Sequence, residues 1–221
     1  MATVHFPGES AEYRAARDEL LRSEMALRRE IENVARQRRE LPVGGTVKED
    51  YAFEDMDDGT VRLSELFQPG RDSLVVYSYM FGPAAKSPCT SCTSIIDALD
   101  GEAPHIEQRV NLVVVAKSPP SRIREVARDR GWRNVRLLSS ANNAYNTDYF
   151  AEDEKGSQMP MLNVFARRDG GVYHTYGTEL LYAAKEPGMD GRHVDMIWPL
   201  WNMFDYTPDG RGTTWAPKLK Y

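Results

Sequence analysis

Residues Leu74–Leu99 read LVVYSYMFGPAAKSPCTSCTSIIDAL, and three changes of pattern inside that stretch decide the architecture. Leu74–Tyr79 is rich in β-formers with little polar alternation, the pattern of a strand buried on both faces. Met80–Pro88 carries one glycine and two prolines and reads as a loop. From Cys89 onward the spacing turns helical, with Ile95, Ile96 and Leu99 on one face and an expected end near Gly101. A buried strand, a loop and a helix opening on Cys89-Thr90-Ser91-Cys92 therefore put two thiols at a helix N-terminus beside a sheet.

Those are the only two cysteines among 221 residues. A disulfide between them would close a loop too small to staple distant parts of a fold. The secreted disulfide-scaffold class is excluded, and stability has to come from a hydrophobic core. At a helix N-terminus Cys89 meets unpaired backbone N–H groups and the positive end of the helix dipole, which favour thiolate over thiol. Its pKa is expected in the lowered range of C-x-x-C cysteines, and the thiolate is the nucleophile. Cys92, three residues on, shares a helical face with Cys89 and is placed to resolve a mixed disulfide formed there. Thr90 and Ser91 are expected to donate hydroxyl hydrogen bonds to the thiolate, and Lys86 to add positive charge if it points inward. Zinc is the competing chemistry. Cys89-x2-Cys92, twelve residues and His105 match three ligands of a finger, but no His or Cys follows in the next six positions. Neither a metal nor an organic cofactor is expected.

Working outward, Val110–Ala116 (VNLVVVA) is a second buried strand. Ser118–Ser121 starts a helix with Ile123, Val126 and Ala127 on one face, stopped by Gly131. Val135–Leu138 is a short third strand. Ser139–Asp153 reads as loop or irregular helix in which Asn142, Asn143 and Tyr145 are candidates to line a cleft. Met161–Ala166 and Val172–Tyr176, joined by Asp169-Gly170-Gly171, form an antiparallel hairpin. Residues 43–72 read as a loop with a short edge element. Asp57-Asp58-Gly59 is its turn, Val61–Leu63 its strand, and Leu66-Phe67 a helical turn. The tail carries Val194, Ile197, Trp201 and Phe204 at helical offsets, with Pro199 starting, kinking or breaking that helix. The order predicts α/β: a three-layer sandwich with a mixed central sheet, a long N-terminal helix and a wrapping C-terminal tail. Met159-Pro160 immediately precedes the hairpin. A proline at that strand entry is either an ordinary boundary or a cis bond presenting the Met159 backbone to an extended substrate beside the dithiol.

Ser10–Glu40 reads as one amphipathic helix, with Tyr13, Ala16, Leu20, Leu27, Ile31 and Val34 on a stripe. The other faces carry eight Arg and seven acids, expected to pair as Asp18–Arg22 and Glu24–Arg28. The stripe fits packing on its own domain or a dimerisation arm. Residues 1–45 are read as this helical extension and 46–221 as the α/β domain with its tail. The chain has 28 Lys+Arg against 33 Asp+Glu, a net charge of −5, which gives no electrostatic case for nucleic acid. No apolar run approaches the ~18 residues of a membrane span. Met1–Ser10 lacks the pattern of a secretory signal, and a cytoplasmic location is expected.

Taken together, the strand, the C-x-x-C at a helix N-terminus, the βαβ unit, the X-Pro, the hairpin and the last helix resemble the thioredoxin superfold. More narrowly, the chain resembles the bacterial DUF899 family. That likeness spans nearly the whole chain, through Leu63-Ser64-Glu65-Leu66-Phe67, Tyr79-Met80-Phe81-Gly82, Gly131-Trp132, His174-Thr175-Tyr176, Asp205-Tyr206-Thr207-Pro208 and Gly210-Arg211. Between the cysteines this chain has Thr-Ser where the family commonly has Pro or Gly. The resemblance implies a dithiol–disulfide oxidoreductase in which Cys89 attacks, Cys92 resolves, and Met159 and Pro160 shape a groove for a protein or small-molecule disulfide. In thioredoxin-like proteins a buried acid near the dithiol relays a proton. Asp97 lies on the same helix, but five residues past Cys92 aims it about 140° away. His174 and His193 are expected to be structural or surface groups. Two alternatives remain at this point: a peroxiredoxin-like thiol peroxidase, for which Ser87 and Pro88 have the wrong spacing, and a binding or assembly module using the N-terminal helix and the aromatic tail.

Overall fold

The computed structural model describes residues 4–184, 187, 197–210, 212 and 214–220. His193, Val194 and Arg211 lie outside the described residues. The chain divides into two units, Met1–Pro42 and Val43–Tyr221.

The first unit is helix α1 (Ala11–Arg39), capped by the Ser10 hydroxyl, which accepts from the Tyr13 amide at 3.1 Å. None of its residues is buried, and Tyr13, Leu20, Leu27 and Ile31 of the stripe are exposed. The expected charge pairs are not the ones formed. Asp18 pairs back to Arg14, Arg22 to Glu19 and Glu24 to Arg17. With acids and arginines this dense, each side chain has several partners in reach, and spacing alone does not select one.

The second unit is built on β1 (Ala52–Asp55), β2 (Thr60–Arg62), β3 (Ser73–Tyr79), α2 (Thr90–Ile106), β4 (Asn111–Ala116), α3 (Pro120–Arg130), β5 (Arg136–Ser139), α4 (Tyr145–Asp148), β6 (Met161–Arg168), β7 (Gly171–Gly177) and α5 (Pro199–Asp205). Among the described residues, seven strands form one sheet in the order β2-β1-β5-β4-β3-β6-β7. β3, β4 and β5 are parallel, and every other pairing is antiparallel. Within it, β4-β3-β6-β7 with α2 following β3 is the thioredoxin-like arrangement, and β5, β1 and β2 widen the sheet.

Residues 44–47 line the β7 edge. The His174 amide donates to the Gly45 carbonyl at 2.8 Å, and the Val47 amide to the Val172 carbonyl at 3.0 Å. A Cβ at Gly44 would sit 1.8 Å from the His174 carbonyl oxygen, so only glycine permits this approach. Strand β1 falls in a stretch whose pattern reads as loop. Its four residues bury only Phe53, too short a run to show a period. It becomes a strand by pairing with both β2 and β5.

Side chains of β3 alternate between two cores. Tyr77 and Tyr79 face α2 and α3 together with Ile95, Ile96, Leu112 and Ile123. Leu74 and Val76 face the opposite side with Phe53, Leu63, Tyr145 and Phe165. Helix α2 runs five residues beyond the expected stop at Gly101 and includes Pro104. Proline there leaves the Asp100 carbonyl without its helical donor, and the Asn134 side-chain amide donates to it instead, at 3.0 Å. Pro199 turns out to start α5. Trp198, just before it, is buried and donates its Nε1–H to the Ser94 hydroxyl at 3.1 Å, which ties the tail to α2. Among the described residues, no helix is long and apolar enough to cross a membrane.

Candidate functional site: the Cys89–Cys92 dithiol

Cys89 is the N-cap of α2, with extended backbone angles (φ −61°, ψ 125°). Its sulfur takes the place that a serine or aspartate oxygen fills at most helix starts, accepting from the Cys92 amide at 3.4 Å. Its own amide donates to the Met80 carbonyl at 3.1 Å, and its carbonyl accepts from the Thr93 amide and hydroxyl at 3.0 and 2.8 Å. The Tyr79 hydroxyl in turn donates to the Thr93 hydroxyl at 2.7 Å, so β3 fixes the first turn of the helix.

Both thiols are free, with Cys89 half-buried and Cys92 1% exposed. The Cys89 pKa is lowered to about 6. The principal cause is a hydrogen bond from the Cys92 thiol, opposed by partial burial and reinforced by the Cys92 and Ser91 amides and the Ser91 hydroxyl. Cys92 moves the other way. Its pKa rises well above the ordinary thiol value, because its proton is shared with Cys89, because it is buried, and because the Cys89 charge repels a second one. Two identical groups one helical turn apart are thus split into one that ionises readily and one that keeps its proton.

The other predicted residues separate. Ser91 turns to the sulfur. Thr90 is half-buried at the first helical position and makes no hydrogen bond to it among the described residues. Lys86 is exposed and pairs with no carboxylate among the described residues. Asp97 is no free carboxylate: it takes a two-pronged ion pair from Arg130 and the Trp132 Nε1–H at 2.8 Å. His105 is exposed at the far end of α2, about 24 Å along the axis from Cys89, so it cannot share a metal with the dithiol. His174 is a structural group, bonded to Asn163 Oδ1 at 2.8 Å and packed on Tyr149 and Phe165. Tyr145 is buried in the core, while Asn142 and Asn143 line an open depression of about 830 Å³ with Glu49, Asp50 and Lys117.

The β3–β6 pairing ends at Ser78↔Met161, so Met159 and Pro160 lie just before the start of β6 while Tyr79 and Met80, whose carbonyl holds Cys89, follow Ser78 at the end of β3. The Met159–Pro160 bond is trans, and the Met159 amide already donates to the Ala151 carbonyl at 2.8 Å.

Sequence reasoning missed Arg122. From α3 its guanidinium donates to the Gly82 and Pro83 carbonyls at 3.2 and 2.8 Å and to the Ala85 carbonyl, and it lies 4.5 Å over the Phe81 ring. The Ser118 hydroxyl adds a bond to Gly82 at 3.0 Å. Together they close the loop that delivers Cys89. An arginine on an exposed helix face carries no sequence signal for that role.

Several solved structures are similar in outline. BcpB, a peroxidoxin from Mycobacterium tuberculosis, is 21% identical over 72% of this chain and 96% of its own, with a TM-score of 0.48. A PrxQ mutant from Xylella fastidiosa is 14% identical over 74% and 98%, with a TM-score of 0.48. A peroxiredoxin-like protein from Aquifex aeolicus is 16% identical over 62% and 75%, with a TM-score of 0.46. No curated protein matches. A family model, described as bacterial protein of unknown function (DUF899), matches residues 3–221, and the chain belongs to that family.

Proposed function

We propose that the protein is a thiol–disulfide oxidoreductase that works through Cys89 and Cys92. The single observation that supports it is the split of the pair: a half-buried thiolate with a pKa of about 6 at a helix N-cap, backed by a buried protonated thiol. That is the division of labour exchange requires, since the attacking sulfur must be ionised and reachable while the resolving sulfur stays protonated until needed. The Cys89 thiolate attacks one sulfur of a protein or small-molecule disulfide, and Cys92 then attacks Cys89 and releases the second substrate sulfur. Met159 and Pro160 would border the substrate, which needs an extended backbone or a slim shape to reach a half-buried sulfur. A second copy of the chain is the proposed partner of α1, whose exposed apolar stripe is flanked by nearly equal numbers of acids and arginines and is therefore complementary to itself.

The test is reduction of a protein disulfide by the reduced enzyme, with peroxide consumption as a separate arm. Wild type is expected to turn over, Cys89→Ser to be inactive, and Cys92→Ser to accumulate a mixed disulfide on Cys89, visible by mass. An unreactive Cys89 in the native reduced protein would refute the reading.

A further inference from the structure

The mechanism leaves one difficulty at Cys92. Once Cys89 is tied up in a mixed disulfide, Cys92 has to lose its proton inside a core where it is 1% exposed. The first carboxylate after it on its own helix is of no help, because Asp97 is engaged by Arg130 and Trp132. From the sheet side, Tyr77 projects into the same cluster. Its side chain is fully buried, and its hydroxyl makes no hydrogen bond among the described residues. The ionisable group it principally interacts with is the Cys92 sulfur. In the resting pair Cys92 keeps its proton and donates it in a hydrogen bond to the Cys89 thiolate, so its sulfur is that of a neutral thiol, a weak acceptor. A buried phenol without a partner calls for an explanation, and an ionised Cys92 sulfur is a far stronger acceptor than the thiol.

We propose that Tyr77 is the hydrogen-bond donor that supports Cys92 as a thiolate during the resolving step. This rests on the thiol–disulfide reading. First, the Cys89 thiolate forms a bond to one substrate sulfur, and the other leaves as a thiolate that takes up the Cys92 proton directly or through water. Capping Cys89 removes both its hydrogen bond to Cys92 and its repulsion of a second charge, which are two of the three causes that hold the Cys92 pKa up. Burial remains, and the Tyr77 O–H and the Met80 N–H oppose it. The Cys92 thiolate then bonds to the Cys89 sulfur, and the remaining substrate sulfur leaves as a thiolate and is protonated by solvent. Two electrons pass from the dithiol to the substrate, and Tyr77 keeps its proton throughout. The titratable groups around Cys92 are Cys89 on its own helix and Tyr77 and Tyr79 on β3, with Asp97 one turn beyond.

An aromatic disulfide that releases coloured nitrothiobenzoate separates the steps in the full-length protein. The first equivalent reports attack by Cys89 and the second reports attack by Cys92. Tyr77→Phe keeps the ring and removes only an unpartnered hydroxyl, so its urea midpoint should equal or exceed that of wild type. The expected result is an unchanged first phase, a second phase slowed about tenfold at neutral pH (the size of one hydrogen bond to a charged group), and a second-phase pH profile moved upward. A second phase with the wild-type rate and pH profile overturns the proposal. So does a first phase slowed in step with the second, because the hydroxyl would then be holding the shape of the site. A wild-type protein that releases no colour at all overturns the thiol–disulfide reading and this inference with it.

Discussion

The chemistry of Cys89 comes from where the backbone turns into a helix. An N-cap side chain is in contact with amides that lack helical partners, and here that side chain is a sulfur. Opposite pKa shifts give the reduced protein a distinctive dependence of stability on pH. Cys89 titrates at about 6 when folded and at about 8.5 when unfolded. Between those values the unfolded chain binds more protons, so stability rises with pH, and this contribution is lost as pH falls through about 6. Cys92 has a raised folded pKa. Its contribution is complete below about 8.5 and is lost as pH rises through the folded value. Urea midpoints of the reduced protein should therefore climb from pH 6 to about 8.5 relative to Cys89→Ala, and the climb should vanish after oxidation. A flat difference between the two proteins would mean that Cys89 is not stabilised as a thiolate.

At the scale of elements, the loop before Cys89 is held from outside itself. Arg122→Met removes the donors to three loop carbonyls while keeping much of the side chain's apolar stem. It should cost about 1–3 kcal/mol in urea unfolding and slow alkylation of Cys89 at every pH. Wild-type stability and reactivity in that variant would mean that the loop needs no clamp. The sequence was most informative where pattern and length agreed. β3, β4, β6 and β7 lie where their β-rich runs do, and the start of α2 could be read from Cys89 itself. It was silent where an element depends on a distant partner. Strand β1 exists because β5 lies beside it, and the last turn of α2 persists across Pro104 because Asn134 supplies the missing donor. Within the candidate site, spacing pointed to the two sulfurs but could not separate Ser91, which turns to the Cys89 sulfur, from Thr90, which does not. Tyr77 and Arg122 were not legible, since each acts from another element and looks in sequence like an ordinary core tyrosine and an ordinary surface arginine.

At the scale of the molecule, the α/β unit holds both cysteines and α1 is a separate unit with an unburied apolar stripe. If α1 mates with a second copy, Leu20→Glu/Leu27→Glu should shift sedimentation from dimer to monomer and leave alkylation of Cys89 unchanged. A wild-type chain that sediments as a monomer at high concentration would remove that proposal without touching the redox one. The proposed chemistry depends on Cys89 being an accessible thiolate at neutral pH, and the most direct test is the rate of its alkylation by iodoacetamide as a function of pH in the reduced, folded protein. The predicted profile rises to a plateau with a midpoint at about 6; a midpoint near the ordinary thiol value of about 8.5, or no reaction, would contradict it.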